Sequence, residues 1–367
     1  MTAAPAAPVS RGHPAHRALW SWKRWAIGVA AVGLLAVAVL AERPLLGESV
    51  HTFTHLRWLP VFWALVFEAL SMLSLALLER RILILAGHRL SVGRAVSIAY
   101  ASNAMAQSLP IVGSGAATAF TYRRMVSHGA EPTLAGWTLT LAGVASNIAF
   151  VVILSIGGLV SGETFAMVAG GLGLVLSALV IALGVLAVRR ATVRERVGRA
   201  AVWVLRLVQR VIRRPKGEAA GVVGSVMADL TAFHLHRRDA FHVVMSAFRN
   251  WAFDLLCLAF CIKATGAHVP WWGIVLAWAA GSGGAALNLT PGGLGVVEVA
   301  LTGALVAVGV PSTAALTAVL LYRAITFWLA IVVGWPIYWR LSSEHEVATV
   351  PAAAPLRPAA AETPAEE

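Results

Sequence analysis

The chain has 367 residues, of which 59% are hydrophobic and 13% charged, and its mean hydropathy is +0.77. These values exclude an ordinary soluble domain. The formal charge of +12 is concentrated in loops between apolar runs, where basic residues set membrane topology, so we expect no nucleic-acid binding. Apolar runs close to the ~20 residues that cross a bilayer as a helix predict an all-α polytopic membrane protein.

The two ends of the sequence are predicted to lie outside the membrane domain. Residues 1–17 and 344–367 are rich in alanine and proline and lack apolar periodicity, so we expect disordered tails. Residues 18–343 then form the transmembrane domain. Its first span covers residues 25–41, and the tryptophans around its start indicate a retained interfacial anchor rather than a cleaved signal.

Positive charges assign a side of the membrane to each loop. The basic N-terminal region is predicted to be cytoplasmic, and the second span, 58–86, returns the chain to the cytoplasmic Arg80 and Arg81. The sequence thus predicts about six full transmembrane helices in the cell membrane, with both termini in the cytoplasm. The four remaining spans cover residues 136–160, 164–188, 241–263 and 311–338.

Two further apolar stretches start and end on the same side of the membrane. Residues 95–120 lie between cytoplasmic cations, and residues 271–308 lie between external loops. The first is too short for two crossings, and each is broken by proline and glycine, at 109–115 and at 291–295. We therefore predict two oppositely oriented re-entrant hairpins that form an inverted repeat, whose tips meet near the midplane and offer free helix ends to a substrate.

Residues 189–240 form a basic cytoplasmic segment within the domain. From Val193 onward apolar residues recur at helical spacing, while arginines occupy other faces. This pattern is typical of an amphipathic helix that lies on the inner leaflet and binds anionic phospholipids. A loop that only fixes orientation explains the same charges.

Ionisable side chains within a span cost ~2.5–3.5 kcal/mol on insertion scales and so need a partner or a wet cavity. Glu298, one turn past the second break, can pair with Arg323, hold a proton or meet a cationic headgroup. Arg323 can instead bind a lipid phosphate. The Arg249 side chain can extend to the membrane interface. Asp254 is therefore the stronger candidate of the two for a functional role within the membrane. Glu68 is a further ionisable residue, on the second span.

The candidate substrate-binding residues lie at the two breaks or on the spans beside them. Amides at membrane depth can instead bond neighbouring helices, and glycines can serve close packing. His234, His236 and His242 do not have the spacing of metal ligands, and no catalytic or phosphate-binding motif is present, so we expect no metal, cofactor or catalytic residue. The substrate-binding candidates are Asn103, Gln107, Pro110, Gly113, Gly115, Tyr122, Arg123, Arg249, Asp254, Asn288, Pro291, Gly292, Gly293, Gly295, Glu298 and Arg323.

The stretch from Asn288 to Glu298, followed by Gly309-Val-Pro311 and Tyr322-Arg323, resembles the lysylphosphatidylglycerol synthase transmembrane, or flippase-like, family over roughly residues 25–340. The resemblance implies a bacterial or archaeal cytoplasmic-membrane module that, in its relatives, moves aminoacylated phospholipid between leaflets. Family members often carry an acidic residue soon after the first break, whereas residues 113–118 have none. Those relatives append a soluble aminoacyltransferase domain. This sequence ends in a short tail after Arg340, so we expect no lysyl transfer.

We therefore expect a translocator of a phospholipid or lipid-linked glycan that has no catalytic domain of its own. One alternative is an integral membrane enzyme or accessory subunit that acts on polyprenyl or glycolipid substrates. Another is a membrane scaffold without transport. The expected partners are anionic phospholipids at the cytoplasmic face and a separate lipid-modifying enzyme or glycosyltransferase.

Overall fold

The computed structural model describes most of the predicted transmembrane domain. The predicted first span, the N-terminal tail, residues 350–367 of the C-terminal tail and most of the basic segment 189–240 lie outside the described residues, as does Asn288. The described residues are 56–349 without 86, 111, 163, 190, 191, 193–195, 197, 198, 200–202, 204–236 and 287–289.

Five helices in this part of the chain are long and apolar enough to cross a membrane. They coincide with the five predicted spans that fall within the described residues, so the multi-pass helical class is confirmed. The spans are Trp58–Leu85, Pro132–Val160, Ala166–Leu183, Arg238–Ala264 and Ser312–Ser343.

Ten α-helices occur among the described residues, and we number them in chain order. The last long span is not one uniform helix, because a π-helical segment, Ala324–Leu329, separates α9 from α10. The helices are α1 (Trp58–Leu85), α2 (Val92–Ser108), α3 (Gly113–Ser127), α4 (Pro132–Val160), α5 (Thr164–Arg189), α6 (Arg237–Ala264), α7 (Ile274–Ala286), α8 (Val296–Ala307), α9 (Ser312–Arg323) and α10 (Ala330–Thr349).

Local sequence explains where several of these helices begin and end. The Ser91 hydroxyl accepts a hydrogen bond from the Arg94 N–H and so caps α2. Helices α3 and α8 are each followed by a glycine with positive φ, Gly129 at 92° and Gly309 at 94°. A proline comes soon after each glycine, Pro132 and Pro311, and it cannot continue a helix. Both turns therefore separate a short helix from a long span.

The chain divides into two compact units. The first comprises Met1–Ala69, Phe150–Ile181 and Trp251–Ile325, and the second comprises Leu70–Ala149, Ala182–Asn250 and Thr326–Glu367. In the first unit α7 packs against α8, and α8 against α9. In the second unit α2 packs against both α3 and α10. Each unit contains one pair of short helices separated by a break.

Both breaks occur where the sequence predicts them. Helices α2 and α3 are 17 and 15 residues long and are interrupted at 109–112. Helices α7 and α8 have 13 and 12 residues, and the stretch between them contains a 3-10 turn, Pro291–Gly293. At 1.5 Å per residue, α7 and α8 are about 18–20 Å long, well short of the ~30 Å hydrocarbon core.

Candidate functional site

The second break is a tight, glycine-rich turn. Thr290 donates its hydroxyl hydrogen to the carbonyl of Leu294 over 2.8 Å, and the Leu294 N–H donates to the carbonyl of Pro291 over 3.1 Å. Gly292, Gly293 and Gly295 have φ angles of 56°, 71° and 85°. Residues with a side chain rarely adopt this left-handed region, whereas glycine adopts it without steric strain. The chain can therefore reverse its direction at these glycines.

Gly293 also allows the two helices beside the break to approach closely. A Cβ atom at this position would lie 2.7 Å from Cγ2 of Val297 on α8 and 3.1 Å from Cα of Ala285 on α7. The Cα of Ala285 belongs to the backbone and cannot move aside as a side-chain end can. Gly293 is therefore required for packing as well as for conformation.

Glu298 caps the N-terminus of α8. Its Oε2 accepts a 2.6 Å hydrogen bond from the Gly295 N–H. An acidic residue in the third helical position satisfies one of the free amides at the helix start and interacts favourably with the helix dipole. The charge beside the break thus has a local structural role that the sequence analysis did not assign.

Arg323, at the end of α9, joins the capping carboxylate to the break itself. Its Nε donates to Oε1 of Glu298 over 2.8 Å, and a terminal nitrogen donates to the carbonyl of Gly292 over 2.7 Å. Arg323 is only 6% exposed. Of the partners considered for Glu298, the structure therefore shows the ion pair with Arg323. Pro291 is half-buried at the start of the same turn.

Asp254 lies in the same unit and is bound by two aromatic donors. The indole Nε1–H of Trp278 donates to Oδ2 over 2.6 Å, and the Tyr322 hydroxyl is 2.9 Å from Oδ1 and 3.0 Å from Oδ2. Trp278 further contacts the rings of Phe150 and Trp251, with centroids 5.2 and 5.6 Å away. Sequence reasoning missed Trp278, although a tryptophan away from the ends of an apolar stretch commonly needs a partner for its N–H.

The first break, in the second unit, is held by short polar contacts. Ser102 on α2 donates to the carbonyl of Ala117 on α3 over 3.2 Å, and Thr121 donates to the Ser102 hydroxyl over 2.9 Å. The Trp335 indole N–H on α10 donates to Ser108 over 3.0 Å. A Cβ at Gly113 would collide with the carbonyl of Ala106, so this glycine is needed for the close return of the chain.

The amides predicted near the first break are only partly buried. Asn103 donates from Nδ2 to the sulfur of Met72 over 3.7 Å, which agrees with an interhelical contact. Gln107 and Pro110 are half-buried. The structure therefore places these residues beside the break without showing a shared binding contact.

A groove lies on the surface formed by α3 and α4. Its volume is about 630 Å³. Gly115 and Gly136 leave open space where a side chain would project. The groove brings the predicted residues Gly115 and Tyr122 together with several hydroxyl groups. Its lining residues are Ser114, Gly115, Thr118, Ala119, Tyr122, Gly136, Leu139 and Thr140.

Of two neighbouring arginines on α3, the structure buries the one that sequence reasoning did not select. Arg123 is exposed, whereas Arg124 is 9% exposed. The Arg124 guanidinium lies 5.3 Å from the ring centroid of Phe120 and donates to the Ser342 hydroxyl over 3.3 Å. Arg123 is therefore the more accessible of the two arginines. The exposed Arg249 donates to Ser246 one turn earlier on α6 over 3.1 Å.

No group of three metal-ligating side chains occurs among the described residues. The two thiols, Cys257 and Cys261, are buried and free. The described residues instead form long apolar helices, two helical pairs that are each interrupted by a break, and a largely buried ion pair at the second break. These features define a multi-pass membrane protein with polar groups built into its apolar domain.

Comparison with known families agrees with this class. A family model described as the lysylphosphatidylglycerol synthase TM region matches residues 21–334, and the chain belongs to this family. The chain is also similar to a UPF0104 membrane protein of Pyrococcus horikoshii, with 28% identity over 98 residues. That match covers 27% of this chain and 29% of the relative. The family resemblance inferred from the second break is thus confirmed.

Proposed function

We propose that the protein translocates a phospholipid or lipid-linked glycan between membrane leaflets and that the α3–α4 groove receives the headgroup. The groove is the single observation that carries this proposal. It offers about 630 Å³ beside the first break, and the exposed Arg123 follows Tyr122 directly in sequence. Membership of a family named for a lipid synthase supports a lipid substrate.

The hydroxyl groups of the groove favour a headgroup that donates hydrogen bonds. Thr118 and Thr140 each give their hydroxyl hydrogen to a carbonyl one turn earlier, Ser114 and Gly136 respectively, over 2.9 Å. Their remaining lone pairs can only accept. Ammonium groups and sugar hydroxyls supply such donors, which suits an aminoacylated lipid or a glycan.

At the second break, Arg323 and Glu298 are proposed to manage headgroup charge. A phosphate can compete with Glu298 for the guanidinium, because arginine forms forked hydrogen bonds to phosphate oxygens as well as to carboxylates. Release of the pair would also free the Gly292 carbonyl and the Gly295 N–H at the same turn, which Arg323 and Glu298 occupy in the structure. The other candidates are proposed to bind the substrate within their own units, Asn103, Gln107 and Arg249 in the second and Asp254 in the first.

The proposed topology places both broken pairs as re-entrant hairpins in the cell membrane. By the distribution of cations, the first enters from the cytoplasm and the second from outside, as an inverted repeat, and both termini are cytoplasmic.

Single cysteines, introduced in a variant without Cys257 and Cys261, test this topology. We expect an impermeant thiol reagent to label Ser114→Cys from the cytoplasmic side and Leu294→Cys from outside, whereas labelling of both from one side would contradict the repeat.

The protein is proposed to act without chemistry of its own, together with a separate lipid-modifying enzyme or glycosyltransferase and with anionic phospholipids at the cytoplasmic face. Purified protein should therefore form no product from candidate donor and acceptor lipids. Product formation would instead favour a membrane enzyme that acts on polyprenyl or glycolipid substrates.

Filling the groove tests the proposed headgroup site. Gly136→Leu is expected to slow translocation of a fluorescent phosphatidylethanolamine about tenfold, equivalent to ~1.4 kcal/mol, because the new side chain occupies the groove. The rate is measured in vesicles of phosphatidylethanolamine and phosphatidylglycerol as the loss of protection from a membrane-impermeant quencher. The same vesicles can carry a fluorescent polyprenyl-linked glycan.

Gly143→Leu is the matched control. Gly143 lies on the same helix, α4, and as at Gly136 no heavy atom lies within 4 Å of where a Cβ would project, but it does not line the groove. We expect this variant to translocate at the wild-type rate. Equal slowing of both variants would reject the groove, and no acceleration of either lipid by the wild-type protein would reject translocation itself.

A further inference from the structure

Glu68 is a buried acid whose carboxylate lacks a complete set of partners. It lies on α1 within a candidate span, is 8% exposed, and its Oε2 is buried without a hydrogen bond. A carboxylate removed from water and left without donors is costly, by several kcal/mol for an ion in a low-dielectric setting. A protonated carboxyl group avoids most of that cost.

Asp254 on α6 lies beside Glu68, because the residues flanking both acids are in contact: the ring of Phe67 stacks on that of Phe253 with centroids 6.0 Å apart, and the Ser71 hydroxyl donates to the Asn250 carbonyl over 3.0 Å. The two acids differ in their surroundings. Asp254 accepts hydrogen bonds from the Trp278 indole at 2.6 Å and from the Tyr322 hydroxyl at 2.9 Å. Donors of this kind stabilise the ionised form of a carboxyl group. The contacts therefore assign the negative charge to Asp254 and a proton to Glu68.

Neither acid belongs to the ion pairs that the structure shows among its described residues, Arg81–Asp239 and Arg323–Glu298. Titratable groups that interact with the two acids include the Cys257 thiol and the Tyr322 phenol, whose hydroxyl donates to Asp254 over 2.9 Å. Neither a thiol nor a phenol carries positive charge in any protonation state. Two adjacent carboxylates in an apolar setting repel strongly, so they share a proton.

We propose that Glu68 and Asp254 form a proton-binding site and that this proton is the coupling ion of the transporter. A metal cation suits the site less well, because hard cations take about six oxygen ligands and both Asp254 oxygens already face N–H or O–H donors. Aromatic rings strengthen the apolar setting. Phe67, next to Glu68, lies 6.0 Å from Phe253 and 5.1 Å from Phe260 between ring centroids.

Loss of the proton would leave two negative charges between α1 and α6. Their repulsion favours a state in which the two helices separate or water enters, so protonation selects between two arrangements of this unit. The coupling of this event to lipid movement rests on the proposed function. Proton binding by the two acids does not, and it can be measured without any lipid substrate.

Infrared difference spectroscopy of the reconstituted protein tests the site directly. A protonated carboxyl group gives a C=O stretching band that shifts on deuterium exchange. We expect the wild-type protein to show this band at neutral pH and Glu68→Gln, which keeps the size of the side chain, to lose it. Glu131→Gln, at an exposed position, should retain it. A band of undiminished intensity in Glu68→Gln would overturn the proposal.

A second variant tests the pairing of the two acids. Asp254→Asn removes the neighbouring charge, and the frequency of a C=O stretch responds to the local electric field. We expect the Glu68 band to change frequency in this variant. A band at the wild-type frequency would show that Asp254 does not act on Glu68 and would reject the pair.

Translocation under a pH gradient tests the coupling separately. Using the fluorescent phosphatidylethanolamine vesicles, we expect the wild-type rate to change at least about tenfold when a gradient is imposed, and the Glu68→Gln rate to be insensitive to it. A wild-type rate independent of the gradient would reject the coupling. If the wild-type protein moved no lipid at all, the proposed function would fail, while the infrared band would still decide whether the proton site exists.

Discussion

Replacing Arg323 with glutamine is expected to lower the free energy of unfolding by about 3–5 kcal/mol, because the Glu298 carboxylate, whose side chain is only 16% exposed, would lose its cation. The same change removes the donor to the Gly292 carbonyl. The free energy can be measured by denaturant titration in mixed micelles. Because Arg323 contacts both the cap of α8 and the turn before it, we expect this variant to lose lipid translocation as well.

The double variant Arg323→Gln/Glu298→Gln separates the stability contributed by the ion pair from the contributions of its two residues. It should be less destabilised than the sum of the two single variants, because it leaves no unpaired buried charge. Arg81→Gln is the control, since the Arg81–Asp239 pair has side chains 40% and 22% exposed. Exposed pairs contribute ~0–1 kcal/mol. Equal losses of unfolding free energy in Arg81→Gln and Arg323→Gln would show that the Arg323–Glu298 pair stabilises the fold no more than an exposed ion pair does.

Substituting alanine for Gly293 is expected to cause the second large decrease in the free energy of unfolding. We expect a loss of about 2–5 kcal/mol, the sum of ~1–2 kcal/mol for a side chain in the left-handed region and ~1–3 kcal/mol for overpacking. The overpacking arises because the new Cβ would lie 2.7 Å from Cγ2 of Val297 and 3.1 Å from Cα of Ala285. Denaturant titration in mixed micelles measures the loss.

Gly295→Ala isolates the packing contribution. Gly295 also has a positive φ, 85°, but no heavy atom lies within 4 Å of where its Cβ would project. This variant should lose only the conformational part, about 1–3 kcal/mol, because the ψ of Gly295, −46°, lies outside the left-handed helical minimum. If Gly293→Ala were no more destabilised than Gly295→Ala, then α7 and α8 would not be packed as closely as the structure shows.

Helices and breaks were predictable from the sequence because their causes are local. Long apolar runs require helices in a membrane, and Pro291 with its glycines interrupts a helix wherever the chain places it. The cap that Glu298 provides is also local, since it depends on a residue only three positions away. It was missed because the end of the break, at Gly295, could not be placed to a single residue.

Partners across the fold were not predictable in the same way. The sequence offered Arg323, a proton and a lipid as alternatives for Glu298, and only the packing of α8 against α9 selects among them. Arg123 and Arg124 show the same difficulty on one helix. The side chains of adjacent helical residues point about 100° apart. Nothing in the local sequence shows which of the two arginines faces Phe120 and the protein interior.

The π-helical segment at Ala324–Leu329 lets the last span accommodate one extra residue without ending the helix. The two compact units meet in sequence between Ile325 and Thr326, within this segment. A π turn carries one more residue than an α turn, so it resembles an inserted amino acid that the helix has accommodated. In an unbroken α-helix one inserted residue would turn the side chains after it by about 100°. The wider π turn absorbs that residue, so Arg323 stays in register with Glu298 and Gly292 in its own unit.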